Sequence, residues 1–293
     1  MTAASVTVAA APAGGKNGLL RRALRLRRTQ IGVVLSLLVL AAAFLGPLLA
    51  PHSPTSFVAA PFSPAGVGGP FGTDNLGRDV LSRFLAGGQT LMILALLATA
   101  VGVGLGAAVG VLAAYVRGWL DELLMRTGDV ALAFPQLVLA LLFLSIIGPK
   151  LWLLVLMVGM GHLPRVARVV RGAALSVVER DFVKAAESVG IPRWRIMLGE
   201  IAPNISGTLA VEFGLRLTYS IGLVAGLSFL GLGLQPPTPD WGLMINENRV
   251  ALTVAPWAVV LPVIAIAVLT VGTNLVTDGL AKAAVGSSAG VQA

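Results

Sequence analysis

The residues able to do chemistry in this 293-residue chain are few and scattered. Its two histidines, His52 and His162, have no partner at ligand spacing, so no metal site is expected. Cysteine is absent, which removes disulfides and thiolate ligands from consideration. Gly15 precedes Lys16, but Asn17 follows it, so the G-x-x-x-x-G-K-S/T phosphate loop is missing. Glu212 and Arg216 stand four apart, in the order that pairs along one helix face, within an apolar run. They are either a structural pair or residues lining a pathway. No paired carboxylates in the apolar runs suggest a proton or sodium relay. The inventory fits a chain without catalytic chemistry, in which uphill movement would draw its energy from another subunit.

The elements that must position these residues are written in the composition. Hydrophobic residues make up 56% and charged residues 12%, with a mean hydropathy of +0.89; a soluble domain carries about a quarter charged residues. Apolar runs fall at 31–49, 90–116, 130–147, 151–163, 208–234 and 256–276. A hydrocarbon core of ~30 Å needs ~20 such residues in a helix, so the short fourth run should extend into 165–170. The expectation is an all-α polytopic protein with six transmembrane helices. If the N-terminus is inside, sixteen of the 21 basic residues face the cytoplasm, four face outward, and Arg216 remains in a span. That bias orients both termini and the central segment inward, and it accounts for the charge of +8 without nucleic acid.

The chain then divides into a basic cytoplasmic tail at 1–29, a first transmembrane helix at 30–50 and an extracytoplasmic segment at 51–89. A core at 90–280 holds five further helices and a cytoplasmic loop at 171–207, and a cytoplasmic tail covers 281–293. Gly102, Gly106 and Gly110 recur every fourth residue, leaving one helix face bare for close packing. Pro135 and Pro262 should bend the third and sixth spans.

The central segment ERDFVKAAESVGIPRWR (179–195) is the polar exception between apolar runs. A helix is expected from Glu179, with Phe182, Ala185, Ala186 and Val189 forming a narrow apolar stripe. Gly190 should end it, Pro192 should open the next helix, and Trp194, Met197 and Leu198 continue an apolar face. Small residues on an exposed stripe call for a partner at close range. The run Lys184-Ala-Ala-Glu-Ser-Val-Gly190, followed by Ile201-Ala-Pro203, resembles the EAA motif of ABC-importer permeases. FGTDNLGRDVLSRFLAGGQTL (71–91), LSFLGLGLQPPTPDWGLMI (227–245) and TNLVTDGL (273–280) are similar to segments of the C-type permease of dipeptide, oligopeptide and nickel importers.

The resemblance implies a type I importer permease in the bacterial or archaeal plasma membrane. It implies a heterodimer with a B-type permease, two cytoplasmic ATPase subunits that use ATP and Mg, and an extracytoplasmic binding protein. The hairpin would be the coupling element in a groove on the ATPase, through Lys184, Ala185, Ala186, Glu187, Gly190 and Pro203. Lys184 stands where the family usually has Glu, and Glu187 is the nearest acidic substitute. Asp74, Gly77, Arg78, Asp79, Arg83 and Trp241 belong to outer segments that would dock the binding protein, gate the pathway or cover its mouth. There Asp74 is expected to cap a surface helix over 74–84, Asp79 to pair with Arg83, and Trp241 to sit at the membrane interface. Peptide is the expected cargo, with nickel chelates, glutathione or opine-like solutes as alternatives. A secondary transporter or channel would need intramembrane carboxylates beyond Glu212, and an exporter would need long intracellular helices.

Overall fold

Lipid offers a backbone no hydrogen-bond partner, so apolar runs of this length close their bonds within helices. The computed structural model describes residues 21–289. Its main helices are α1 (Arg27–Leu49), α2 (Val80–Val116), α3 (Gly118–Leu132), α4 (Gln136–Ile147) and α5 (Leu151–Val178). They continue as α6 (Asp181–Ser188), α7 (Arg193–Ile196), α8 (Ser206–Phe229), α9 (Trp241–Asn248) and α10 (Trp257–Ala289). Among the described residues there are no strands, only isolated bridges joining Phe57 to Arg78 and Thr73 to Asp79. Among the described residues five helices are long and apolar enough to cross a membrane, and α3 with α4 makes a sixth crossing if the bent pair is one span.

Three predicted boundaries move. The expected surface helix at 74–84 and the second span are one helix, which begins at Val80 rather than near Asp74. The third span starts earlier than 130 and breaks by 78° between Leu132 and Gln136. Pro135 causes the break: it lacks an N–H and holds extended backbone at the start of α4. The last helix runs on to Ala289, so the predicted tail at 281–293 begins as helix, and its end lies outside the described residues, as do the first twenty of the chain.

Packing follows the small residues. A Cβ on Gly102 would lie 2.6 Å from the Gly159 carbonyl oxygen, one on Gly106 2.6 Å from Val166 Cβ, and one on Gly110 2.5 Å from the Ala167 carbonyl oxygen. The predicted glycine face is therefore the seam between α2 and α5. Two apolar clusters result. One, around Leu91, Leu154, Ile221 and Trp241, lies toward the segment 51–79, which we term the cap. The other, around Val166, Val170, Val177 and Ile196, lies toward the hairpin of α6 and α7.

Candidate functional site

The hairpin begins two residues later than expected, with Glu179 ending α5 and Arg180 preceding α6. Its turn is a Schellman motif: Ile191 N–H donates to the Ala186 carbonyl (3.1 Å) and Gly190 N–H to that of Glu187 (2.9 Å). Gly190 has φ +80°, the left-handed region that a side chain resists. The predicted stripe is split. Val183 and Ala186 turn inward to the cluster around Ile196, while Phe182, Ala185 and Val189 face outward. The reason is the helical period: Ala185 and Ala186 are separated by ~100° of rotation and cannot share a narrow face. Val189 is 82% exposed, and Ile191, Trp194 and Leu198 extend the bare apolar surface beside it. Lys184 is exposed and its side chain has no hydrogen-bond or ion-pair partner among the described residues. Glu187 lies instead by the Tyr115 hydroxyl of α2.

From α7 the chain passes through a π-helical turn (Met197–Ile201) and a short turn (Ala202–Asn204) into α8. Pro203 has no N–H for the Gly199 carbonyl, which is why the helical register widens there. Pro203 is exposed, so the join between hairpin and α8 is an uncovered bend.

At the opposite end, the predicted outer residues form the inside of the cap. Asp79, not Asp74, caps α2: Oδ1 accepts from Leu81 N–H (3.1 Å) and Oδ2 from Ser82 N–H (3.2 Å) and Ser82 Oγ (2.6 Å). His52, expected to be solitary, brings Nδ1 to 3.4 Å from Asp79 Oδ2. Arg83 does not pair with Asp79. Its Nη1 lies 3.1 Å from Asp74 Oδ2 and its Nη2 donates to Glu247 Oε2 at 2.9 Å. Arg78 donates through Nε to Asp74 Oδ2 (2.7 Å) and through Nη2 to Glu247 Oε2 (3.2 Å). Arg83, Asp74 and Asp79 are wholly buried inside the cap. Burial pushes the Glu247 carboxyl above its usual range, with Arg78 pulling the other way. At Gly77 the φ is +80°, and a Cβ would lie 2.2 Å from the Ala59 carbonyl oxygen.

Trp241 is buried rather than interfacial. Its Nε1 donates to the Phe84 carbonyl (2.8 Å), and its ring fills the space left by Gly88 and stacks on Phe84. Glu247, which joins two arginines, was missed by sequence reasoning; its place six residues beyond Trp241, just past the end of the second outer motif, was the available signal.

Inside the bundle, Arg216 Nε donates to Glu212 Oε2 at 3.0 Å, the predicted pair. With α8 starting at Ser206 and ending at Phe229, the two lie in the half of the helix nearer the hairpin. His162, which has no partner at ligand spacing in the sequence, is buried between helices. Its Nε2 is 3.0 Å from Ser220 Oγ, to which Thr99 Oγ1 donates at 2.9 Å, joining α5, α8 and α2. It packs opposite Gly102, where a Cβ would lie 2.8 Å from His162 Cβ.

These features define a class: a multi-pass helical membrane protein with a polar hairpin at one end and a charge-locked cap at the other. Residues 102–285 match the family described as "Binding-protein-dependent transport system inner membrane component", and the chain belongs to it. It is 38% identical over 213 residues to the glutathione transport system permease protein GsiD of Escherichia coli, spanning 73% of this chain and 70% of that protein. The protein of the same name in Shigella sonnei matches equally, and that of Pectobacterium atrosepticum is 38% identical over 212 residues, 72% of this chain and 70% of the relative. The predicted type I permease fold and membership of the peptide and nickel permease family therefore hold. The chain is the inner-membrane permease, a non-catalytic component, of an ABC importer, which works with a partner permease, an ATPase and a binding protein.

Proposed function

We propose that this permease forms half of the pathway for a small peptide, with glutathione, a tripeptide, as the nearest specific cargo. The relatives named above support this, since they are glutathione permeases at 38% identity. The second half is a B-type permease. Two cytoplasmic ATPase subunits hold the ATP and Mg, and an extracytoplasmic binding protein delivers cargo to the cap end. Both termini and the hairpin face the cytoplasm, a placement favoured by the exposed arginines Arg21, Arg22 and Arg25 ahead of α1 and Arg27 and Arg28 in its first turn.

One observation carries the coupling role: the hairpin leaves Phe182, Ala185, Val189 and Trp194 uncovered beside a rigid glycine turn. A solvated loop would gain nothing from that surface. In this reading ATPase closure moves the hairpin, and the bend at Pro203 passes the movement to α8. Ala185→Trp tests it, because the site is exposed and helical, so the added ring meets only a partner. The variant should insert and assemble with the second permease, yet lose most ATP-driven glutathione uptake in proteoliposomes. Undiminished uptake would remove the hairpin from the coupling path.

A further inference from the structure

Every other long span exposes a row of large aliphatic side chains. On α1 these include Ile31, Val34, Leu38 and Leu45; on α2 Ile93, Leu96 and Leu105; on α10 Val263, Ile264 and Val271. The helix α8 shows none. Its one exposed large side chain is Tyr219, 61% exposed and halfway along the 24-residue helix. Beyond it on the same side lie Gly222 and Gly226, where an added Cβ would meet nothing within 4 Å. One turn before it, the Arg216 side chain keeps only 11% of its surface exposed, its guanidinium carbon 5.7 Å from the Tyr219 ring centroid. Tyrosine belongs at membrane interfaces, and arginine at mid-depth faces a bundle interior or a water-filled cavity. A face of tyrosine, arginine and bare glycine backbone is therefore a wet face.

We propose that Arg216 and Tyr219 form a passage site for the carboxylate of the transported peptide. The inference rests on the peptide reading given above. Glu212 Oε2 takes the Nε–H of Arg216, and Tyr219 covers one face of the guanidinium. The Nη1 and Nη2 edge has no ion pair or hydrogen bond among the described residues, and that edge matches a carboxylate in fork geometry. Because Glu212 already neutralises the charge, a second carboxylate is held weakly, as a site on a pathway requires: cargo must leave as well as enter. Tyr219 offers a hydroxyl to the same group, and the open backbone at Gly222 and Gly226 leaves room for the peptide to slide along the helix.

The test uses the importer assembled with its partner subunits in proteoliposomes, with trialanine and its C-terminal amide as probes. The affinity of the binding protein for each probe is measured separately, so that only the permease contribution is compared. The double variant Glu212→Gln/Arg216→Gln removes the pair without leaving a buried charge. Its ratio of acid to amide uptake should fall by about tenfold, the worth of a charge-assisted hydrogen bond. Tyr219→Phe, which keeps the ring, should lower the ratio less than Tyr219→Ala. An unchanged ratio, with both probes slowed alike or neither slowed, overturns the site while leaving peptide transport standing. Failure of the double variant to co-purify with the second permease also overturns it, by making this face a subunit contact. If the unaltered importer moves neither trialanine nor glutathione, the peptide reading falls and takes the site with it.

Discussion

Asp74 and Asp79 are five residues apart, and both are wholly buried, yet their loss should cost very different amounts. Asp79 accepts from two backbone N–H groups and a hydroxyl at the start of α2. Its replacement by Ala removes a helix cap, worth about 1–2 kcal/mol. Asp74 holds two arginines, and Asp74→Asn leaves Arg78 and Arg83 short of a counter-charge in a dry site, a change worth about 3–5 kcal/mol. Thermal melting of the purified permease in detergent should therefore rank Asp74→Asn well below Asp79→Ala, with the unaltered protein above both. Equal, small effects would mean that water reaches the cluster.

At the scale of the element, α3 is the least embedded helix, with no buried residue. It is held by charge. Arg171 of α5 reaches Asp121 with Nε and Nη2, both at 2.5 Å, Arg168 pairs with Asp129, and Arg165 donates to Gln136 just past the break at 3.2 Å. Beneath lies a largely apolar groove of about 330 Å³, lined by Leu123, Met125, Met160 and Leu163 among others. Arg171→Gln should speed amide exchange across 118–132 and leave the cap unaffected, and the swap Asp121→Arg/Arg171→Asp should restore protection. The glycine seam, the break at Pro135 and the Gly190 turn were legible in the sequence because each depends on local backbone chemistry. The ionic ladder was not: its arginines read as a topology signal, and their acids lie 39 to 50 residues away. The cap was misread for the same reason. Asp79 and Arg83 have the spacing of a pair, but the tertiary partners Asp74 and Glu247 outcompete that local match.

For the whole molecule, orientation is open to a direct measurement, since the chain has no cysteine to remove. Ala185→Cys on the hairpin and Ala65→Cys on the cap are both exposed positions. In sealed right-side-out vesicles an impermeant maleimide should label residue 65 and spare residue 185, and inverted vesicles should reverse the pattern. The opposite result would turn the molecule over and place the hairpin away from any cytoplasmic ATPase. The six apolar runs match the five long helices and the bent pair of α3 and α4. The bend at Pro135 was expected, but the start of that pair at Gly118 was not, because 118–129 is too polar to read as part of an apolar run.

The cap joins the beginning of one helix to elements far along the chain. Asn75 N–H donates to Asn248 Oδ1 at 2.9 Å, Arg78 and Arg83 both grip Glu247, and Trp241 is pinned to Phe84. The short helix carrying Trp241, Glu247 and Asn248 itself packs on α8 and α10. Such a structure does not peel open strand by strand like a flap. Fastened like a bolted plate, it would carry the tops of three spans with it in any tilt. A protein landing anywhere on that plate therefore need not touch the pathway to be felt there.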